Sequence, residues 1–298
     1  MSIPTVSSDD TASEEAPSAD DGKVGGRLVL VGTPIGNLGD LSPRAVQALA
    51  AADLVCCEDT RRTGRLLQHA GIRAQALRVV NDHTEERAVH QVLDRLAMGQ
   101  SVAIVSDAGM PGISDPGERL VRAALDAGYE VDVVPGPSAA ITGLVASGLP
   151  AGRFVFEGFL PRKGSGRTAR LRSVASEERT VVLYEAPHRV ARTLADLVEV
   201  CGADRQVVLA RELTKLHEEL WRGSLGAAVA WTDEVDPRGE YVVVLEGAAE
   251  ADEATDEAIM EALAAARTGG ATTRDAVTEV VALLGVAKRR VYQLATGR

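Results

Sequence analysis

Between residues 27 and 247, short β-branched apolar runs alternate with stretches whose apolar residues recur at helical spacing. The runs predict strands over 27–31, 53–57, 101–106, 130–134, 153–159, 180–185, 205–211 and 240–246. The segments between them carry helix punctuation. Ser42-Pro43 supplies an N-cap and a first-turn proline before "RAVQALAAA", and "EERAVHQVLDRLAMG" and "RVARTLADLVEVCG" stop at Gly99 and Gly202. This alternation predicts α/β architecture with largely parallel sheets. The small-residue stretch "GPSAAITGLVASGLPAG" (136–152) puts a hinge around 148–152, between α/β domains over 26–149 and 150–248. Beyond it, an acidic helical segment, Gly269-Gly270 and "TTRDAVTEVVALLGVAKRRVYQLATGR" predict a helix-turn-helix-like piece over 255–298, turning at Gly285.

Composition narrows the function classes. The chain has 298 residues and a formal net charge of −11, which argues against a nucleic-acid partner until its distribution is read. Residues 1–25 hold six acids and one lysine, and residues 249–261 hold six acids and no base, so the remainder is neutral. Local basic patches, and RNA as a partner, stay open. The acidic start is rich in Ser and Ala, has no apolar leader core, and is expected to be a disordered tail. No apolar run approaches a membrane span. Cys56 and Cys57 lie in an apolar run and, with Cys201, are expected to be free thiols of a cytoplasmic protein. The five histidines show no ligand spacing, so no metal is expected.

Candidate chemistry sits where strands end. "LVLVGTPIGNLGD" (28–40) runs into a glycine turn, but it lacks the Walker lysine and Pro34 replaces the second glycine of a dinucleotide fingerprint. A plain tight turn is the alternative there. "VAIVSDAGMPGISDPGERLV" (102–121) crowds Asp107, Gly109, Pro111, Gly112, Asp115, Pro116 and Gly117 into one loop. That much backbone specialisation at a strand's carboxyl end indicates a ligand loop. "EVDVVPGPSAAITG" brings a Pro-Gly-Pro corner and Ser138 at a helix N-cap position, which suits a ligand or a capped interdomain helix equally.

Taken in order, "GTPIGNLGDLSPRA", "CEDTR", "SDAGMPGISDPG", "VVPGPSA", "LYEAPHR" and "ARELTKLHEE" closely resemble the small-subunit ribosomal RNA methyltransferases of the tetrapyrrole methylase superfamily, which methylate a ribose 2′-hydroxyl of a 16S rRNA cytidine. The resemblance covers about residues 26–248, and the terminal helical piece matches as well. It implies two α/β domains with S-adenosylmethionine in the cleft between them, a homodimer, and 16S rRNA in the small subunit as substrate. That cofactor has no phosphate, which accounts for the missing nucleotide fingerprints. By motif position the resemblance assigns cofactor contacts to Ile35, Ala108, Gly109, Met110, Gly112, Ser138, Ala139, Tyr184 and Leu213. Gly109 stands where the tetrapyrrole enzymes carry Asp, which leaves Asp107 for that polar role.

On the substrate side, "LPRKGSGRTARLR" (160–172) reads as a flexible phosphate-gripping loop through Arg162, Lys163 and Arg167, with an ordinary solvated loop as the alternative. Arg61, Arg62 and Arg189 are further candidates. Aromatics are only 3%, so recognition by shape and phosphate is expected in preference to base stacking. A ribose hydroxyl needs a general base, and among Glu185, Asp107, Asp59 and Glu212 the choice falls on Glu185, which ends a strand among the implied cofactor contacts; His188 is expected to face the substrate. A tetrapyrrole or other small-molecule methylase would share the cofactor site but have no use for the basic loop. A DNA-binding regulator would have no use for the glycine loops.

Overall fold

The computed structural model describes residues 25–81, 84–249 and 254–297, so the expected acidic tail lies, but for Gly25, outside the described residues. Contacts divide the chain into two units at Ser138/Ala139. The first unit runs β1 (Arg27–Val31), α1 (Pro43–Ala51), β2 (Leu54–Cys57), α2 (Thr60–His69), β3 (Leu77–Val79), α3 (Glu85–Ala97), β4 (Ser101–Ile104), α4 (Glu118–Asp126) and β5 (Glu130–Val134). Its sheet has the order β3-β2-β4-β1-β5 and every pairing is parallel.

Alternation along each strand sends side chains to opposite faces. Val29, Val31, Val55 and Ala103 meet Leu49 of α1 and Leu67 of α2 on one face. Leu28, Leu54, Cys56 and Ile104 meet Leu96 of α3 and Leu120 of α4 on the other. With both faces covered, the strands read as continuous apolar runs, which is why they were visible in the sequence. β3 was not. Its residues, Leu77 to Val79, are exposed along the sheet edge and carry no alternation. Ser42 accepts from the Ala45 N–H at 3.1 Å with Pro43 at the first helical position, as its sequence predicts.

The second unit begins with α5 (Ala139–Ser147) and continues through β6 (Phe154–Phe159), α6 (Ser165–Ser176), β7 (Thr180–Glu185), α7 (Pro187–Cys201), β8 (Gln206–Arg211), β9 (Glu219–Ser224), α8 (Leu225–Glu234) and β10 (Tyr241–Leu245). The hinge expected at 148–152 is corrected by α5, which packs on β10 and β7 of this second sheet. Gly143 makes that possible, since a Cβ there would lie 2.8 Å from Val242. The expectation of largely parallel sheets also fails here. The order is β6-β7-β10-β8-β9, and only β6–β7 is parallel. The short 212–218 connection folds β9 back on β8 as a hairpin, and a two-strand return of this kind can only be antiparallel. β9 ("ELWRGS") is a polar, half-buried edge strand, and so it gave no strand signal.

α6 and α7 cover the face of this sheet that carries Val181, Leu183, Val207, Leu209 and Val243. An ion pair clamps them together. Arg167 of α6 is only 4% exposed; its Nε donates to Asp196 at 2.7 Å, and its Nη2 to Thr193 at 3.0 Å, both on α7. Arg167 is therefore not a mobile phosphate ligand but an internal strut, a correction to the reading of the basic run.

The chain ends in α9 (Asp256–Thr268), α10 (Thr273–Leu284) and α11 (Lys288–Thr296), which enclose Ile259, Leu263, Val277, Val280 and Val291. α10 stops at Gly285 in the left-handed conformation, φ 64°, as the helix–turn–helix reading expects. No helix among the described residues is long and apolar enough to cross a membrane.

Two stability predictions follow from this packing. At Gly136 a Cβ would lie 2.7 Å from the Gly32 Cα, a backbone neighbour that cannot give way. Gly136→Ala should cost about 1–3 kcal/mol in urea unfolding. Gly152→Ala, with nothing within 4 Å, should be neutral or slightly stabilising. Arg167→Ala removes the close donor of Asp196 and empties a buried site, and should cost about 1–3 kcal/mol by thermal or urea unfolding. A near-neutral result would mean that α6 and α7 need no clamp.

Candidate active site

Because β4, β1 and β5 are adjacent and parallel, the loops that follow them emerge on one edge of the first sheet. They are the three glycine-rich loops read from the sequence, and they are fastened to one another. The Thr33 N–H donates to the Gly109 carbonyl at 2.9 Å, and the Gly109 N–H returns to Thr33 at 3.2 Å. Ser106 Oγ adds a 3.2 Å bond to the same Gly109 carbonyl. Gly32 lies on Gly136 and on the Met110 sulfur so closely that a Cβ at Gly32 would meet them at 2.6 and 2.7 Å.

Gly109 and Gly112 have φ of +91° and +83°, conformations that L side chains rarely adopt. Ile35 is buried at 8% exposure, Met110 and Gly112 are half-buried, and Ala108 is exposed. Glu85, itself buried, fixes the far end of the long loop by accepting from the Gly117 and Arg119 N–H groups at 2.9 and 3.1 Å. Ser138, half-buried, closes the first unit, and Ala139 opens α5. No lysine or arginine occurs in 32–36, 106–117 or 135–139.

Next to this clasp stand three carboxylates in different states. Asp107 sits at the head of the β4 loop. Its Oδ2 is 3.3 Å from Arg62, whereas its buried Oδ1 has no hydrogen-bond partner. Burial pushes its carboxyl above the usual Asp range, against the opposing pull of Arg62. Glu58 holds the loop backbone by accepting from the Asp107 N–H at 2.9 Å. Asp59 caps α2 and takes the Arg61 guanidinium and N–H, which hold it down at about 2. Arg61 and Arg62 are thus engaged with carboxylates of their own unit. The thiols are inert: burial raises Cys57 and pushes Cys56 up to about 12.

In the second unit the sequence candidates divide. Tyr184 stacks its ring edge-on to Phe156 at 5.0 Å, and its hydroxyl accepts from the Ala140 N–H at 3.1 Å. Leu213 is buried between Glu212 and Thr214, both with left-handed φ. Glu212 pairs with Lys215 at 2.9 Å.

Glu185, favoured as the base, is corrected. It is 1% exposed; Thr193 Oγ1 donates to Oε2 at 2.6 Å, and the Ala186 N–H and Arg189 Nε hold Oε1 at 2.9 and 3.1 Å. With both oxygens occupied, it can take no proton from a substrate and acts instead as an internal anchor. Arg189 is tied to Glu185 and to the Leu160 carbonyl at 2.6 Å. Arg162, Lys163 and His188 remain exposed.

Sequence reasoning missed Thr33, Ser106 and Glu85, and the hold of Glu58 on the Asp107 backbone, because these roles depend on loops distant in the chain. It also missed Arg192, although its position one turn after His188 on α7 was a readable signal.

A family model described as "Tetrapyrrole (Corrin/Porphyrin) Methylases" matches residues 27–229. The protein named "Ribosomal RNA small subunit methyltransferase I" of Synechocystis sp. is 46% identical over 272 residues, covering 91% of this chain and 97% of that protein. Its namesake in Mycobacterium bovis is 48% identical over 271 residues, covering 90% and 93%. Among solved structures, the methyltransferase CobJ superposes with a TM-score of 0.59 at 25% identity, over 76% of this chain and 95% of its own. The chain belongs to the tetrapyrrole methylase family and, within it, to the ribosomal RNA small subunit methyltransferase I group.

Proposed function

We propose that this methyltransferase transfers a methyl group from S-adenosylmethionine to the ribose 2′-hydroxyl of a cytidine in the 16S rRNA of the small ribosomal subunit. The observation that carries the proposal is the clasp of three glycine-rich loops with Asp107 at its edge. The loops fit this cofactor. They hold no cation for a phosphate; they offer open backbone, an apolar contact at Ile35, and a carboxylate suited to a positively charged ligand. By motif position, Ile35, Ala108, Gly109, Met110, Gly112 and Ser138 would hold it, and Ala139, Tyr184 and Leu213 would be further contacts. Bound S-adenosylmethionine supplies the methyl group from its sulfonium. The named relatives support rRNA as the substrate, and a cytoplasmic homodimer belongs to the same reading.

The chain's own share of the chemistry is orientation and proton removal. Asp107 is the base of this mechanism: its Oδ1 is buried with no hydrogen-bond partner in the chain, while the rest of the side chain stays partly exposed with Oδ2 3.3 Å from Arg62. Asp59, ionised down to about 2, is too weak a base to compete. Exposed Lys288 and Arg289 of α11 offer a further grip on RNA, whereas Arg290 is paired with Asp256 at 2.8 Å.

The test incubates the protein with labelled S-adenosylmethionine and, separately, 16S rRNA, assembled small subunits and a porphyrin precursor, mapping the methyl group by nuclease digestion and mass spectrometry. A 2′-O-methylcytidine in rRNA is expected. Label on the tetrapyrrole alone would replace the RNA reading with the small-molecule one.

Asp107→Asn should lower kcat by about 10²–10⁴-fold. The base works deprotonated and its pKa is raised, so the wild-type rate should fall on acidification at a higher pH than an ordinary Asp would give. In Asp107→Asn that acidic limb should vanish. An unchanged limb would assign the proton to another group.

A further inference from the structure

One cavity is lined by residues of the second unit alone. It has a volume of about 340 Å³ and is lined by Arg162, Arg167, His188, Arg189, Arg192 and Thr193. The lining divides into a fixed floor and free walls. Arg167 and Arg189 form the floor, locked onto Asp196, Thr193, Glu185 and the carbonyls of Pro161 and Leu160. Arg162, His188 and Arg192 are exposed. Arg162 and His188 have no hydrogen bond or ion pair among the described residues, and Arg192 approaches Asp196 only at 3.9 Å.

Four guanidinium groups and an imidazole thus face two carboxylates, and both carboxylates are spent on the floor. Like charges packed this closely repel unless an anion joins them. His188 and Arg192 lie one turn apart on the first turns of α7, whose N-terminus has no capping side chain. The opening therefore combines unspent cations with a positive helix end.

Apart from the imidazole, the walls contain no aromatic ring to stack a base on, so the cavity suits the backbone of a nucleic acid and not its bases. Guanidinium forks match phosphate oxygens two at a time.

We propose that this cavity grips one backbone phosphodiester of the RNA substrate, with Arg162 and Arg192 as the forks and the His188 imidazole as a third donor. The proposal rests on the RNA reading of the function and names the residues of the second unit that hold the strand. It replaces the long basic loop as the phosphate grip, because Arg167 is internal and Arg170 is paired with Glu157 at 2.6 Å.

The test compares wild type, Arg162→Gln/Arg192→Gln and a control, Arg122→Gln, an exposed cation on α4. Filter binding of a 16S rRNA fragment is measured across a salt series, with calorimetry of S-adenosylmethionine alongside. Loss of one phosphate contact should flatten the log–log salt slope by about 0.7–0.9. RNA affinity and KM for RNA should worsen by about ten- to a hundred-fold, with kcat at saturating RNA, cofactor affinity and the control unchanged. Inorganic phosphate at fixed ionic strength should compete with RNA in the wild type and not in the double variant.

Parallel salt lines for wild type and double variant would overturn the phosphate grip. So would a loss of cofactor affinity, which would assign the cavity to the cofactor. A wild type that leaves 16S rRNA unmethylated would overturn the substrate reading instead, while its salt lines would still decide the cavity.

Discussion

The first unit's site depends on how closely two stretches of backbone can approach. Thr33 and Gly109 exchange N–H to carbonyl bonds across a sequence gap of more than seventy residues, and Gly32 touches Gly136 backbone to backbone. Both contacts require the strand order that seats β1 between β4 and β5. The second also requires the absence of side chains where the chains meet, since a Cβ at Gly32 or Gly136 would fall within 3 Å of main-chain atoms. Sheet order and glycine placement are thus one constraint. Altering either separates the loops and dissolves the cradle that a phosphate-free cofactor would need.

In each unit, the local environment gives similar carboxylates unlike roles. Asp59 stands half-buried at a helix start with the Arg61 guanidinium in front of it, which keeps it ionised as a cap. Glu185 is buried more deeply than Asp107, yet its two oxygens collect three donors and its charge is spent on holding α7 against β7. Asp107 falls between these cases: partly desolvated, with one oxygen beside Arg62 and the other buried without a hydrogen-bond partner. A buried oxygen without a partner is costly for a structural residue, and the raised pKa that comes with it suits one that takes up a proton.

The legible part of this protein was whatever its local pattern determines. Buried parallel strands, Ser42-Pro43 and the glycine stops at Gly99, Gly202 and Gly285 rest on neighbours a few residues away, and the resemblance rested on loops whose backbone must be special. β3 escaped because its three residues are all exposed, and β9 because it is polar and only half-buried. The placement of α5 escaped for a different reason. Its small residues fitted a hinge as well as a packing face, and only Val242 against Gly143 decides between them. Glu185 was misjudged because its position at a strand end was visible, whereas Thr193 and Arg189, the donors that consume it, lie on the next helix.

The basic run shows the same limit in electrostatic terms. In the sequence, "LPRKGSGRTARLR" is an unrelieved stretch of positive charge. Once α6 forms, its cations point to different places. Arg167 turns inward to Asp196 and Arg170 meets Glu157. Arg162 stays in solvent beside His188 and Arg192, which come from a helix more than twenty residues further on. Charge available to a ligand is therefore a property of the folded surface after internal ion pairs have been subtracted, and a linear count overstates it wherever acids lie on facing helices. By that criterion the net acidity of the chain and a cation-rich cavity are compatible. The acids that set the total lie largely in the two terminal segments, and the carboxylates beside the cavity are already committed to its floor.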